Sequence, residues 1–116
     1  MHEQFDALVR AIRRVRALQK EFNQAYKNPE RRQQITPLLR EARTIALANH
    51  QLLGQTIQAN KSDNKPLDSI LGIHRQYQQV LDLNKSFFRT KFDSDRERLR
   101  KSEKDLDQLL KALPSI

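Results

Sequence analysis

The chain holds no cysteine, so any chemistry it performs must come from charged, imidazole or hydroxyl groups. Thiolate nucleophiles, disulfides and thiolate-bound zinc are excluded at once. Basic side chains are the most conspicuous candidates. Arg10, Arg13, Arg14 and Arg16 crowd one segment, Arg31, Arg32, Arg40 and Arg43 a second, and Arg96, Arg98, Arg100, Lys101 and Lys104 a third. Groups of this kind neutralise phosphates and bind them with a steep salt dependence. Arg10, Arg13, Arg14, Arg31 and Arg32 are therefore the candidate phosphate-binding set. In the third cluster Glu97, Glu103, Asp105 and Asp107 lie among the bases and cancel much of the field. A solvated, salt-bridged helix face is the plainer reading of that cluster. No helix-turn-helix spacing, zinc finger or basic-region zipper accompanies the arginines, so the sequence carries no element for base-specific readout.

The remaining reactive groups form no constellation. His50 and His74 each lack a partner at the three- or four-residue spacing that puts two ligands on one helical face. Asp93-Ser94-Asp95-Arg96-Glu97 opens like a calcium loop. However, its sixth position is Arg98 where glycine is needed, and its twelfth is Lys104 where a bidentate glutamate is needed. Gly54 and Gly72 stand alone, so there is no phosphate-cradling loop. The expectation is a protein with no catalytic site, no metal and no cofactor, hence not an enzyme, and with no small-molecule substrate.

Charge and hydropathy bound the rest. The formal net charge is +8 and the sequence pI is about 10.2, a balance suited to nucleic acid or an acidic partner. No apolar run approaches the roughly 20 residues that cross a bilayer. Residues 1–17 carry charge every few positions and have no apolar core of the signal-peptide type. A cytoplasmic protein with no membrane partner is expected.

The elements that must position these residues read as helices throughout. With two glycines and 31% charged residues, the chain lacks the tight turns of a sheet protein and has the composition of long, partly solvated helices. In residues 3–27, Phe5, Leu8, Ile12, Val15, Leu18, Phe22 and Ala25 recur in steps of three and four, one helical face. Asn28-Pro29-Glu30 supplies a cap, a first-turn proline and an early acid, which opens a helix over 29–60 with a kink near Pro37. Its apolar seam is Leu38, Leu39, Ala42, Ile45, Ala46, Asn49, Leu52, Leu53 and Ile57. Residues 60–66 are the clearest loop. Leu67, Ile70, His74, Tyr77, Leu81, Asn84 and Phe88 then alternate as a heptad does. On this reading Asn49 and Asn84 are polar residues set into seams, where they would fix register.

After Phe88 two paths are open. Ser94 with Glu97 has capping-box spacing, giving separate helices over 66–92 and 94–113. The absence of Gly or Pro between Ile73 and Leu113 favours one continuous helix from Pro66 to about Leu113, on the order of 70 Å long. The predicted fold is all-α: a single domain over 1–116 built as an elongated antiparallel bundle of three or four long helices with coiled-coil-like heptad seams. Phe92, Leu99, Leu106 and Leu113 recur every seven residues among charges. As the row least covered by the earlier helices, they form the candidate partner-binding surface. Phe87 joins them, since Phe87 and Phe88 point about 100° apart and cannot share one narrow seam. The function this implies is a non-enzymatic interaction module (adaptor, assembly factor or export-type chaperone) that packs its helices against another protein or a second copy of itself. The alternative is a nucleic-acid-associated accessory protein.

Overall fold

The computed structural model describes residues 2–59 and 68–113. Among them it contains four α-helices and no strand: α1 (His2–Gln24), α2 (Pro29–Ala59), α3 (Asp68–Thr90) and α4 (Asp93–Ala112). The all-α class expected from composition and periodicity is what the chain adopts. The polar segment 60–66, marked as a loop by its sequence, and Leu67 lie outside the described residues. The chain divides into two compact units. One is the antiparallel hairpin of α1 on α2, the other the antiparallel hairpin of α3 on α4.

In the first hairpin the sequence explains both the helices and the turn. The buried side chains of α1 are Phe5, Leu8, Val9, Ile12, Val15 and Leu18, all on one stripe. Those of α2 are Ile35, Leu39, Ala42, Ala46, His50 and Leu53. Antiparallel order lays the two series against each other in reverse, Phe5 toward the Leu53 end and Leu18 toward the Ile35 end. Past Gln24 the chain tightens into a turn: the Ala25 amide donates to the carbonyls of both Glu21 at 3.1 Å and Phe22 at 3.2 Å. Asn28 then caps α2, its Oδ1 accepting the Arg31 amide at 3.2 Å, and Pro29 takes the first helical position. The helix runs on through Pro37. That proline has no amide to offer the Gln33 carbonyl, and Gln33 is exposed.

The second hairpin corrects the expectation of an unbroken helix after Phe88. Helix α3 ends at Thr90, and Lys91 takes φ 59°, the left-handed backbone that terminates helices. Its amide closes the last turn on the Phe87 carbonyl at 2.7 Å. The Thr90 hydroxyl donates to the Asp95 carboxylate and accepts the Phe92 amide at 3.3 Å. Arg98 Nη2 holds the other Asp95 oxygen at 3.3 Å. Phe92, not Ser94, is the N-cap of α4, and it makes no side-chain cap bond. The break therefore uses no Gly, no Pro and no capping box, the three signals by which a turn is read from sequence.

Folding back buries Ile70, Ile73, Tyr77 and Val80 of α3 and Leu106 and Leu110 of α4. Gln76 Nε2 donates to both the carbonyl and the hydroxyl of Ser102 at 2.9 Å, tying α3 to α4 at mid-length. The heptad track expected on α3 shifts accordingly. His74 and Leu81 are half-buried, while Asn84 and Phe88 are exposed; the core uses Ile73 and Val80 instead. Asn49 on α2 is also no buried register residue. It is half-buried and folds its Nδ2 back onto the Ile45 carbonyl at 2.9 Å.

Two outcomes follow for stability in urea. Leu106 is fully buried, so Leu106→Ala costs about 2–5 kcal/mol, whereas Leu99→Ala at a half-buried position costs clearly less. Thr90→Val and Asp95→Ala each destabilise, and in a double-mutant cycle their effects fall short of additive by about 1–2 kcal/mol. Strict additivity would show that the hydroxyl–carboxylate contact does not hold the turn.

Candidate functional site

Within its hairpin each helix packs on one neighbour, so an apolar arc wider than one stripe leaves side chains outside that contact. Helix α2 has such an arc. At 3.6 residues per turn, Leu38, Ile45 and Leu52 form a nearly straight row beside the buried stripe, about 21 Å from end to end. They are 42%, 47% and 52% exposed. Leu47 is also exposed, on another side of the same helix. Arg40, Glu41 and Arg43 lie between Leu38 and Ile45, but from there on the surface is electrically bare: positions 44–59, which hold Ile45 and Leu52, contain no Asp, Glu, Lys or Arg. The polar groups there are amides, hydroxyls and His50, which is itself buried. The bond from Asn49 to the Ile45 carbonyl engages the amide set directly beside Ile45 and Leu52. The arrangement has no reacting group. It can bury another apolar surface, and that is the chemistry available to it.

The partner row expected from sequence is placed differently. Leu106 is 0% exposed and belongs to the core, which removes it as a partner contact of the folded protein. Leu99 and Leu113 are half-buried, with Leu110 taking the core position near the end of α4. Phe87 is half-buried, with Lys91 Nζ 5.6 Å and the Arg96 guanidinium 5.5 Å from its ring centre. Phe92 alone of the set is largely exposed, at 64%. The outward residue of the adjacent pair is Phe88, at 75%, where the heptad reading put it in the seam.

The candidate phosphate-binding arginines do not form one patch. Arg31 and Arg32 sit at the α1–α2 turn and are engaged within the hairpin. Arg31 pairs with Glu21 at 3.5 Å and bonds Gln34 Oε1 at 3.3 Å, and Arg32 stacks its guanidinium 4.6 Å from the Phe22 ring centre. Arg10 and Arg14 are exposed one turn apart on α1, while Arg13 is half-buried. Arg14 and Arg10 lie about 10 and 16 Å along α1 from the level of Glu21. Among the described residues no three His, Asp or Glu side chains gather as metal ligands would.

Two signals for the α2 row lie in the sequence: its spacing of seven and the uncharged stretch around Ile45 and Leu52. Both are lost when all the apolar residues of α2 are read as one seam. The chain matches no protein-family model, and neither a curated protein nor a solved structure matches it.

Proposed function

We propose that this protein is a non-enzymatic helical interaction module, an adaptor, assembly factor or export-type chaperone, that docks through the outer face of α2. The observation that carries the reading is the row Leu38, Ile45 and Leu52, all exposed, the last two on an uncharged length of helix. A contiguous apolar surface of this kind is stabilised when an amphipathic helix covers it, and it offers anchors at helical spacing. The partner is another protein's apolar helix face or the same face of a second copy. Charged residues confined to the earlier part of α2, Arg40, Glu41 and Arg43 among them, would set orientation at the rim.

The test is site-specific photo-crosslinking in the native host, with the reactive group placed at Ile45 or Leu52 and, as a control, at Arg40. A discrete adduct from the first two positions supports the reading, and its mass distinguishes a second copy from a different protein. Changing Leu52 to Asp, or Ile45 to Asp where Leu52 carries the probe, should abolish the adduct. The same changes leave stability within about 0.5 kcal/mol, because both positions are exposed. Absence of any adduct from either position would refute docking on α2.

Arg10 and Arg14, exposed together on α1, support a second reading as a nucleic-acid accessory protein that contacts phosphates without base readout. In a titration with duplex and single-stranded oligonucleotides, binding on this reading falls steeply with salt. Arg10→Gln and Arg14→Gln would each lower the log–log salt slope by about one. No binding at low salt would eliminate it.

A further inference from the structure

The chain has five phenylalanines and two tyrosines, and their distribution is uneven. Phe5 and Tyr77 are buried in the two hairpins. The others lie around the two hairpin turns, Phe22 and Tyr26 at the first and Phe87, Phe88 and Phe92 at the second. Phe88 and Phe92 are the most exposed large apolar residues among the described ones. They project at the end of a hairpin, where the chain reverses through Thr90, Lys91 and Phe92.

Cations surround them. Lys85, Arg89, Lys91 and Arg96 lie within or beside the turn. Lys91 Nζ stands 4.2 Å from the Phe88 ring centre and 5.6 Å from that of Phe87. Of the acids in the turn, Asp95 is buried and held by Thr90 and Arg98, and Asp93, itself exposed, lies 3.9 Å from Arg96, which leaves Lys85, Arg89 and Lys91 as the cations in excess. Exposed rings with ammonium and guanidinium groups at their own level match the boundary between acyl chains and phosphates in a bilayer. There an aromatic ring enters the apolar side and a basic side chain reaches the anionic headgroups. The bond network around Lys91, at φ 59°, fixes the turn beforehand, so ordering it on contact costs little.

We propose that the α3–α4 turn is a peripheral membrane-contact site that seats Phe88 and Phe92 in the interface of an anionic phospholipid bilayer, with Arg89 and Lys91 on its phosphates. No helix among the described residues is long and apolar enough to cross a membrane, so the contact is interfacial. It goes beyond the α2 docking reading and is independent of it. It also departs from the expectation of no membrane partner, which was based on apolar span length.

The chain has no tryptophan, so a Phe92→Trp variant reports from this turn alone. Its emission is followed on adding vesicles of phosphatidylcholine, with and without phosphatidylserine. The expected result is a blue shift with the anionic vesicles and little with the neutral ones. In the same background Phe88→Ser should weaken partitioning about tenfold and Arg89→Gln about fivefold. Circular dichroism should be unchanged, since both side chains are exposed. No shift with either vesicle, or equal partitioning into neutral and anionic ones, overturns the proposal. A shift produced by a single-stranded oligonucleotide but not by vesicles also overturns it, assigning the turn to base stacking.

Discussion

The carboxylate of Asp95 is buried at the start of α4 and held from two sides, by the Thr90 hydroxyl and the Arg98 guanidinium. A carboxylate withdrawn from water loses several kcal/mol of hydration unless donors replace it. One of its two donors, Thr90, comes from the end of α3 and reaches it only when the chain reverses between the helices, while Arg98 lies three residues on in α4 itself. The left-handed backbone at Lys91 costs about 1 kcal/mol, and this contact offsets it. Once the reversal is made, α4 lies back on α3, and the inner leucines of α4 meet Ile70, Ile73 and Tyr77. A polar contact near the turn thus decides which leucines become core and which remain outside. The same constraint converts a stretch that would extend as one rod into a hairpin with aromatic residues at its end.

The hairpin geometry also decides where apolar surface is left over. A helix with a single packed neighbour buries roughly one stripe. Helix α1 keeps its large apolar side chains to that stripe and is charged on the other side. Helix α2 does not, since Leu38, Ile45 and Leu52 lie outside the stripe filled by Leu39, Ala46 and Leu53. Small residues at Ala42 and Ala46 allow α1 close to α2 along the buried stripe, and the larger side chains stand away from it. Helix α3 likewise leaves Phe88 outside its packed face.

Legibility followed the range of the forces. The start of α2 could be read because Asn28 and Pro29 act on the backbone beside them. The end of α3 could not, because Thr90 acts on Asp95 through a contact that exists only in the folded turn, and Lys91 occupies a conformation usually left to glycine. Stripes were legible as stripes, but their exact track was not. On α3 the track through His74, Leu81 and Asn84 and the track through Ile73 and Val80 both satisfy steps of three and four. The second carries no polar group, and the core takes it. The polar residues on the first track were the discriminating sign. On α4 the spacing of seven drifts about 20° per repeat in a straight helix. Phe92, Leu99, Leu106 and Leu113 therefore cannot all face the same way, and Leu110 replaces Leu113 in the core.

What the fold explains is then a guide to what it does not. The identity of Leu106 is accounted for by the core, and exposed arginines such as Arg10 and Arg14 by the solubility that a charged surface provides. Exposed leucine and isoleucine on α2 contribute little to either. Replacing them with charge would cost the hairpin almost nothing and would remove an aggregation hazard. The stretch around Ile45 and Leu52 lacks the charges that ordinarily guard such positions, although 31% of the chain is charged. Phe88 and Phe92 stand in the same relation to the second hairpin, with the difference that cations lie close about them. An uncharged row suits an apolar protein surface, and a cationic aromatic turn suits an anionic interface. The two leftover surfaces therefore point to different partners, and each can be removed by substitution without disturbing the other.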